Sequence, residues 1–311
     1  MTTPKVTVLI PTWNAPMSVG PAIDSALNQT VRDIEVLVVL DGAHDETAGI
    51  VRARQAGDAR VRILDLPKAP SRGEANRHRG VLAARAPVVA YLADDDLLLP
   101  RHLENLLALL ADHDLVQSLN GWIDACGSLH LHAADLADPR WREFHRTGPP
   151  DNRISITGTA HTAASYRELA LGWVVPEMGI PADLNLWRQF LADPAIRVAT
   201  HAEMTTLQFP APARHGMHPA DIETMRALWE HFVREPDCHE RLQALATDAA
   251  FGDLLDVNLH LRAMSVARAH DEARITSLHD QLREHRATLS WRITRPLRAV
   301  RARFRRNSSS Q

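Results

Sequence analysis

The sequence predicts an α/β protein: a mostly parallel, twisted sheet flanked by helices, followed by a C-terminal helical extension. Short apolar runs with high β propensity alternate with amphipathic helical segments through the first third of the 311 residues. Polar clusters follow directly after several of these runs, and a parallel sheet binds its ligands beyond the carboxyl ends of its strands. From residue 222 to about residue 286 the spacing of apolar residues is helical.

The first third contains four predicted strands and four predicted helices. The strands are the β-prone runs at 6–10, 34–40, 61–64 and 88–92. The helices are segments with apolar residues three and four positions apart, at 18–27, 47–55, 75–84 and 103–110. Asp45 or Thr47 is the predicted cap of the second helix, because both side chains accept hydrogen bonds from free backbone N–H groups.

The region after the fourth helix is less regular. Residues 114–118 and 121–124 are typical of edge strands. Residues 133–152 are rich in Trp, His, Arg and Pro, which favours a mobile loop over a site. We see no internal repeat in this region or elsewhere.

Composition and cysteine usage indicate a soluble globular protein in a reducing compartment. Hydrophobic residues make up 45% of the chain and charged residues 23%, which is enough to bury a sizeable core. Without an apolar run near 18 residues, we expect no membrane-spanning helix, and no signal peptide precedes Lys5. Cys126 and Cys238 have no metal-type spacing, and a cytosolic setting follows by default.

The end of the chain differs from the rest in charge. Residues 291–311 contain seven Arg and no acid, whereas residues 1–290 carry ten more acidic than basic side chains. The apolar residues between the arginines suit a helix on an anionic membrane surface, with Pro296 interrupting it. A solvated, partly disordered tail is the alternative. Nucleic acid is not an expected partner, because aromatic stacking platforms and known binding modules are missing.

The segment at 271–290 predicts a short paired helix. Its heptad seam positions are occupied by Ile275, Leu278, Leu282 and Leu289, with His285 interrupting the series. We therefore expect a homodimer through this helix, and not a long coiled coil.

Asp94, Asp95 and Asp96 form an acidic triplet between a predicted strand and a helix. Three adjacent carboxylates repel one another unless a cation or several donors neutralise them. Oxygen ligands at a strand end suit Mg²⁺ or Mn²⁺, especially when diphosphate oxygens complete the octahedron. An acidic cap for the helix that starts near Arg101 is the alternative interpretation.

Five ordered segments resemble the inverting nucleotide-sugar glycosyltransferases of family 2, which have the GT-A fold, a Rossmann-like arrangement. Four lie between about residues 5 and 125: VLIPTWN at 8–14, VVLDGAHDET at 38–47, GEANRHRG at 73–80 and YLADDDLLLP at 91–100. The fifth, ADLNLW at 182–187, is similar to the family's acidic acceptor-side motif. The resemblance implies transfer of a sugar from a nucleotide-diphosphate donor to a hydroxyl acceptor.

The resemblance also implies a role for each matched position. Asp95 would ligate the Mn²⁺ or Mg²⁺ that bridges the two phosphates, and Asp183 would be the general base of a single inverting displacement. His215 is a further candidate metal ligand. The implied donor-binding residues are Pro11, Thr12, Asn14, Asp41, Arg77 and Asp94.

The chain departs from the family pattern at three points. Leu40 replaces the first of two acids after the second strand, and Ala93 replaces the Asp that often begins the metal segment. In the third segment the family usually has an Arg-Asn pair, whereas this chain has Arg77-His78. This departure weakens the resemblance on which the phosphate role of Arg77 rests. None of these changes removes the implied metal ligand.

The resemblance implies a domain organisation and a set of partners. A GT-A domain would occupy 1–215, with its nucleotide-binding half at about 1–125 and its acceptor half at about 126–215. A helical extension at 216–290 and the basic tail at 291–311 would follow. The expected partners are a nucleotide-sugar donor and a glycan or lipid-linked acceptor, in bacterial cell-surface polysaccharide or glycolipid synthesis at the inner face of the membrane.

Several alternatives stay open from the sequence. Asp41 and Gly42 form a dipeptide that is typical of turns, so Asp41 is alternatively a turn residue. Asp183 is alternatively the cap of a helix. His161 suits a satisfied core or surface histidine as well as an acceptor site, and His218 is a further metal candidate after His215. Three tryptophans suit sugar stacking or core packing: Trp141, Trp173 and Trp187. The alternative functions are a nucleotidyltransferase and a catalytically silent glycosyltransferase-like binding module.

Overall fold

The computed structural model describes residues 3–210 and 218–287. The strands of this part of the chain are β1 Val6–Thr12, β2 Ile34–Asp41, β3 Val61–Leu66, β4 Val88–Tyr91, β5 Leu97–Leu98, β6 Leu115–Ile123, β7 Leu129–His132, β8 Thr159–Thr162 and β9 Val198–Gln208. Its helices are α1 Val19–Leu27, α2 Asp45–Gly57, α3 Glu74–Ala83, α4 His102–Leu110, α5 Pro139–Thr147, α6 Ala163–Glu168, α7 Ala182–Ala192, α8 Pro219–Phe232 and α9 Cys238–Ala287.

All described strands belong to one mixed sheet, which confirms the predicted α/β class. Its order is β3-β2-β1-β4-β8-β6-β9-β5, with β7 paired to β6 outside this path. The neighbours β3, β2, β1 and β4 are parallel, whereas β8 is antiparallel to both β4 and β6. Because β1, β2 and β4 run in the same direction, the residues that follow them meet at one edge of the sheet.

Side-chain alternation along the central strands builds two apolar layers, one on each face of the sheet. Val8 and Ile10 of β1 pack in one cluster, and Leu9 packs in the other. The first cluster contains residues of α1, α2 and α4, and the second contains residues of α3 and α7. A third cluster joins β5, β6 and β9 to α8 and the start of α9.

The predicted elements of the first third are all present, with ends within two residues of their predicted positions. The predicted cap of α2 was wrong, because the N-cap residue is His44 and its side chain makes no capping hydrogen bond. Thr47 instead accepts a hydrogen bond from the N–H of Ala15 at 3.1 Å, and so ties α2 to the loop after β1.

The prediction of two edge strands at 114–118 and 121–124 was also wrong. Residues 115–123 form one strand, β6, in the interior of the sheet between β8 and β9. Gly121 lies inside this strand, and a Cβ at this position would lie 2.6 Å from Met204 Sδ and 2.8 Å from Leu129 Cδ1. The absent side chain lets neighbouring residues pack against the strand.

The predicted loop at 133–152 contains a helix, α5. Asp138 caps it by accepting a hydrogen bond from the N–H of Arg140 at 2.8 Å, and Pro139 occupies its first turn. The Asp-Pro pair is a helix-start signal that the sequence analysis missed.

The chain divides into two compact units after Phe251. The boundaries that the sequence predicts, after residues 215 and 290, stay predictions. The predicted helical region from 222 to 286 corresponds to α8 and α9, with residues 233–237 between them. No helix in the described ranges combines the length and the apolarity that crossing a bilayer requires.

Candidate active site

Two adjoining cavities lie at the carboxyl edge of the parallel strands. The first has a volume of about 430 Å³ and is lined by residues that follow β1, β2 and β4, together with residues of α3 and α8. The second has a volume of about 770 Å³ and is lined mainly by loops between residues 152 and 183 and by the end of β9. Three residues line both cavities: Arg72, Arg77 and Asp95.

Asp41 is the anchor of the first cavity. Its carboxylate accepts hydrogen bonds from Lys68 Nζ at 2.5 Å, from the N–H of Ala69 at 2.7 Å and from Asn76 Nδ2 at 2.6 Å. Burial acts to raise the pKa of Asp41, but these donors and the Lys68 charge outweigh it and hold the pKa below its ordinary value. Asp41 therefore stays ionised and fixed in position.

Gly73 is required beside this carboxylate. It is the N-cap of α3 with φ +84°, and a Cβ at this position would lie 2.5 Å from Asp41 Oδ2. Any side chain at residue 73 would therefore push Asp41 out of its hydrogen bonds, in addition to the strain of a positive φ.

The three acids of the triplet occupy different environments. Asp96 is buried, accepts a hydrogen bond from the Thr157 hydroxyl and accepts another from the N–H of Phe209 at 3.1 Å. Burial and the neighbouring Asp95 raise the pKa of Asp96 well above its ordinary value. Asp96 thus joins the loop after β4 to the end of β9, which is a structural role.

Asp94 and Asp95 are half-buried and face the first cavity. Burial, together with the Asp95 carboxylate, raises the pKa of Asp94 to about 6, against the charge of Arg77. A raised carboxyl pKa means that the local negative charge is incompletely compensated by the protein. A cation in this position would be stabilised.

The described residues contain no cluster of three or more His, Cys, Asp or Glu that could hold a metal ion. Mg²⁺ in nucleotide sites is commonly held by one or two carboxylates plus substrate phosphates and water, so such a cluster is not needed. Asp94 and Asp95 fit that donor set. His215, the further metal candidate, lies outside the described residues.

Arg77 connects the two cavities. It lies on α3, and its guanidinium carbon is 5.2 Å from the centre of the Trp173 ring. Burial lowers the pKa of Arg77 from its ordinary value, and the carboxylates of Glu74, Asp183 and Asp94 oppose that shift. Its Nε has no hydrogen-bond partner in the described part of the chain, and so the group can still bind an anion.

Asp183 lines the second cavity, in the first turn of α7. The N-cap residue is Pro181, so the interpretation of Asp183 as the cap was wrong. Burial raises the pKa of Asp183, and the hydrogen bond from the N–H of Leu184 at 2.9 Å and the charge of Arg77 only partly offset it. A half-buried carboxylate with a raised pKa is a better proton acceptor than an exposed one.

The remaining predicted donor residues, Pro11, Thr12 and Asn14, all line the first cavity. Trp13 lines it as well, with 49% of its surface exposed and Lys68 Nζ 5.5 Å from its ring centre. From the sequence, Trp13 stands out only as a member of the segment at 8–14. An aromatic residue directly after an apolar, β-prone run was the available signal for its place in the cavity.

The helix α8 also lines the first cavity, through Ile222, Glu223 and Arg226. Arg226 is only 6% exposed, its guanidinium carbon lies 5.3 Å from the centre of the Phe209 ring, and its Nε has no partner among the described atoms. Sequence reasoning treated this region as an extension. No local pattern distinguishes Arg226 from the other arginines of the helical region.

The second cavity contains an aromatic surface. Trp122 is half-buried and stacks on His132, with ring centres 6.0 Å apart and an interplanar angle of 16°. Trp173 also lines this cavity and donates a hydrogen bond from Nε1 to the Tyr91 hydroxyl at 3.1 Å. Trp187 is fully buried in the core, and Trp141 lines neither cavity.

His161 and His218 have structural surroundings. His161 is fully buried, its Nε2 accepts from the Tyr91 hydroxyl at 2.8 Å, and its Nδ1 donates to the Thr162 carbonyl at 2.8 Å. Burial lowers the pKa of His161 to about 4, so the ring is neutral. His218 caps α8, with its Nδ1 3.3 Å from the N–H of Ala220.

A family model described as Glycosyl transferase family 2 matches residues 7–171, which include the ends of β1, β2 and β4 and the acidic triplet. The chain belongs to glycosyl transferase family 2. The match covers every element that contributes Asp41, Arg77 and Asp95 to the two cavities.

Named relatives of this family 2 chain come from several bacteria. It is 32% identical over 146 residues to the chondroitin synthase of Pasteurella multocida, which is 46% of this chain and 14% of the relative. It is 32% identical over 104 residues to a GalNAc(5)-diNAcBac-PP-undecaprenol beta-1,3-glucosyltransferase of Campylobacter jejuni, 33% of this chain and 34% of the relative. The chain thus matches well under half the length of either relative.

Solved structures support the GT-A fold. The S. aureus TarS 1-349 crystal structure superposes with a TM-score of 0.52 at 17% identity, covering 74% of this chain and 72% of that chain. A TarS structure in complex with UDP-GlcNAc gives the same TM-score and identity over 75% of this chain and 67% of that one. The predicted fold class is therefore confirmed.

Proposed function

We propose that this family 2 protein is an inverting glycosyltransferase that moves a sugar from a nucleotide-diphosphate donor to a hydroxyl acceptor. The main support is that two cavities meet at Arg77 and Asp95, residues that line both. A group-transfer enzyme needs two substrate sites that share one reacting centre, with the reacting atoms held close together.

The first cavity is the proposed donor site. Pro11, Thr12 and Asn14 line its wall, and Asp41 accepts hydrogen bonds from the base or the ribose. Asp41 itself is already held by three donors, so a ligand meets a carboxylate that does not need to reorganise. Asp94 faces the ribose or the sugar in this proposal.

In this proposal the diphosphate binds at the wall that the two cavities share, beside Arg77 and Asp95. Arg77 would approach the phosphates, and Asp95 would hold a Mn²⁺ or Mg²⁺ ion. When bound, that ion stabilises the negative charge that develops on the departing diphosphate. The Arg77 guanidinium acts in the same direction, because its half-buried site strengthens the interaction with an anion.

Asp183 is the proposed general base, facing the reaction from the second cavity. It takes the proton of the acceptor hydroxyl while that oxygen attacks the anomeric carbon. The bond from this carbon to the phosphate oxygen breaks in the same displacement, and the nucleoside diphosphate leaves. One displacement inverts the anomeric centre, and therefore only one base is required.

The proposed acceptor is a glycan or a lipid-linked glycan of the bacterial cell surface. This proposal is supported by the names of the relatives, a chondroitin synthase and an undecaprenol-linked glucosyltransferase. The proposed setting is the cytoplasmic side of the cell membrane, with the seven arginines of residues 291–311 on anionic lipids. Those residues lie outside the described part of the chain.

The test combines nucleotide binding with donor turnover. Purified protein is incubated with a panel of nucleotide sugars, with and without Mn²⁺ or Mg²⁺, and release of nucleoside diphosphate is measured. Thermal-shift binding of UDP, GDP and dTDP accompanies it. We expect metal-dependent release from one donor, and loss of that release in Asp95→Ala. The exposed acid Asp112, which lines neither cavity, gives a control: Asp112→Ala should retain the activity.

Two results would contradict the proposal. Failure to bind any of the three nucleotides would exclude a donor site in the first cavity. Nucleotide binding without release, even with a panel of glycan acceptors, would indicate a catalytically silent binding module.

A further inference from the structure

An apolar seam lies along α9, in the unit that starts at Gly252. We call the following series of positions the α9 seam: 254, 257, 261, 264, 268, 271, 275 and 278. Its six apolar residues are between 53% and 57% exposed: Leu254, Val257, Leu261, Met264, Ile275 and Leu278. Alternating steps of three and four residues put all of them on one side of the helix, which is the spacing of a two-stranded coiled coil.

Two charged residues occupy the middle of the α9 seam. Arg268 and Asp271 fall at the positions between Met264 and Ile275. Arg268 pairs with Glu272 at 2.9 Å on the surface of its own helix, with its side chain 82% exposed. Charged side chains at seam positions destabilise a coiled coil unless each meets an opposite charge, and so they determine which arrangement of helices is allowed.

We propose that the α9 seam pairs with the α9 seam of a second copy in antiparallel orientation, with Arg268 facing Asp271 of that copy. The same register puts Met264 opposite Ile275 and Leu261 opposite Leu278. Two-fold symmetry repeats each contact, and both Arg268–Asp271 pairs therefore form together. When the same register is extended along the sequence, Val257 falls opposite Leu282.

Charge complementarity selects this orientation. In a parallel pair in register, each seam position faces its own copy, so Arg268 would face Arg268 and Asp271 would face Asp271. Both contacts would bring like charges together in a partly desolvated seam, which is unfavourable. The antiparallel register replaces two repulsive contacts by two attractive ones. It puts Val257, Leu261 and Met264 opposite apolar residues, whereas Leu254 falls opposite position 285, a histidine in the sequence.

A second copy also suits this face better than a lipid surface. A helix on an anionic membrane has a continuous apolar face with basic residues beside it. Here Asp271 interrupts the apolar series, and Glu272 follows it. Leu255, Leu259 and Val266 are exposed but lie off the seam, and the pairing leaves them at the surface.

The first test measures the mass of the full chain in solution at micromolar concentration. We expect a dimer, weakened at least about tenfold by Arg268→Asp and by Asp271→Arg, because each change creates a like-charge contact. The double charge exchange should restore the dimer. Leu261→Asn on the seam should dissociate it, while the matched change Leu259→Asn off the seam should not. Circular dichroism checks that each variant stays helical.

A monomeric wild-type chain would overturn the proposal, as would a dimer that tolerates Leu261→Asn. Equal weakening by Leu259→Asn would mean that a different face is covered. Binding of the wild-type chain to vesicles of anionic lipid that is lost in Leu261→Asn, with no dimer in solution, would assign the seam to a membrane instead.

The second test determines orientation by disulfide cross-linking in a Cys126→Ser background, because Cys126 is an exposed thiol. Chains with Met264→Cys mixed with chains with Ile275→Cys should cross-link to each other. Met264→Cys alone should not, since two copies of residue 264 would be about 16 Å apart along the axis at 1.5 Å per residue, too far for a disulfide. Self-cross-linking of Met264→Cys would show a parallel pair and overturn the register.

Discussion

The two cavities are built in different ways, although they share Arg77 and Asp95. Most residues of the first cavity follow adjacent parallel strands within the first hundred residues of the chain, with α8 as the exception. The second cavity takes its lining from segments spread between residues 71 and 210. A site at strand ends depends on local patterns, whereas a site between loops depends on how distant segments pack.

The principal carboxylates of the two cavities differ in the same way. Three hydrogen-bond donors hold Asp41 ionised, with a pKa below its ordinary value. Asp183 has a raised pKa, because burial dominates over its few donors. A fixed anion suits recognition, and a carboxylate that accepts a proton readily suits base catalysis. Variants on the two sides should therefore separate binding from turnover.

The largest expected effect is that of Asp183→Asn. The amide cannot accept the proton of the acceptor hydroxyl, so transfer should fall at least about a hundredfold, as expected for loss of a general base. Nucleotide affinity should not change, because Asp183 does not line the first cavity. Steady-state transfer and nucleotide titration measure the two quantities. Unchanged turnover would mean that another residue is the base.

Gly73→Ala should damage the first cavity. Its Cβ would meet Asp41 Oδ2 at 2.5 Å, and its φ of +84° disfavours a side chain. We expect nucleotide affinity to fall at least about tenfold, since positive φ costs roughly 1–2 kcal/mol before Asp41 is displaced. Gly49→Ala is the matched control, because nothing lies within 4 Å of its added Cβ. Calorimetric titration with nucleoside diphosphate measures the loss, and equal affinities in the two variants would contradict this role for Gly73.

Arg226→Gln tests whether α8 belongs to the donor site. Losing a buried cation that lines the proposed donor cavity should weaken nucleotide binding about tenfold, the effect of one charge-assisted hydrogen bond. Glu223→Gln, on the same helix and in the same cavity, removes a negative charge and should leave affinity equal or higher. If Arg226→Gln changes only the melting temperature, Arg226 is a structural residue of α8.

Trp122→Ala tests the second cavity. Removing a surface on which a sugar ring could stack should raise the acceptor KM about twofold to tenfold, the equivalent of roughly 0.5–1.5 kcal/mol for an aromatic contact. Nucleotide affinity and donor hydrolysis should stay as in the wild type. Trp141→Ala, at a tryptophan that lines neither cavity, gives the comparison. A fall in nucleotide affinity in Trp122→Ala would mean that the two sites are not separate.

The smallest expected effect is a shift of the pH profile. The base must be ionised, and therefore kcat/KM should fall as the pH decreases through the pKa of Asp183. Because that pKa is raised, the fall should begin at a higher pH than for an ordinary aspartate. Nucleotide binding measured without a divalent ion, which depends on Asp41 with its lowered pKa, should persist to lower pH. Parallel loss of binding and turnover would contradict the contrast between the two carboxylates.

The sequence predicted one side of the site better than the other. The positions of Asp41, Asp94 and Asp95 at the carboxyl edge follow from the alternation of strands and helices, because parallel strands end at the same edge. The fate of Asp96 could not be predicted: its partner Phe209 is 113 residues away in the chain. The interior position of β6 was missed for a similar reason, because β9, its partner, comes about eighty residues later.

Local chemistry was sufficient to predict the α/β class, the order of the first strands and helices and the acidic triplet at a strand end. These features arise within segments of ten to twenty residues, where hydrophobic periodicity and strand-end polarity act directly. Tertiary packing decided that Arg226 reaches the first cavity, that Asp96 joins β9 to the loop after β4, and that burial raises the pKa of Asp183. Burial and charge proximity are properties of the folded chain, and a linear sequence records neither of them.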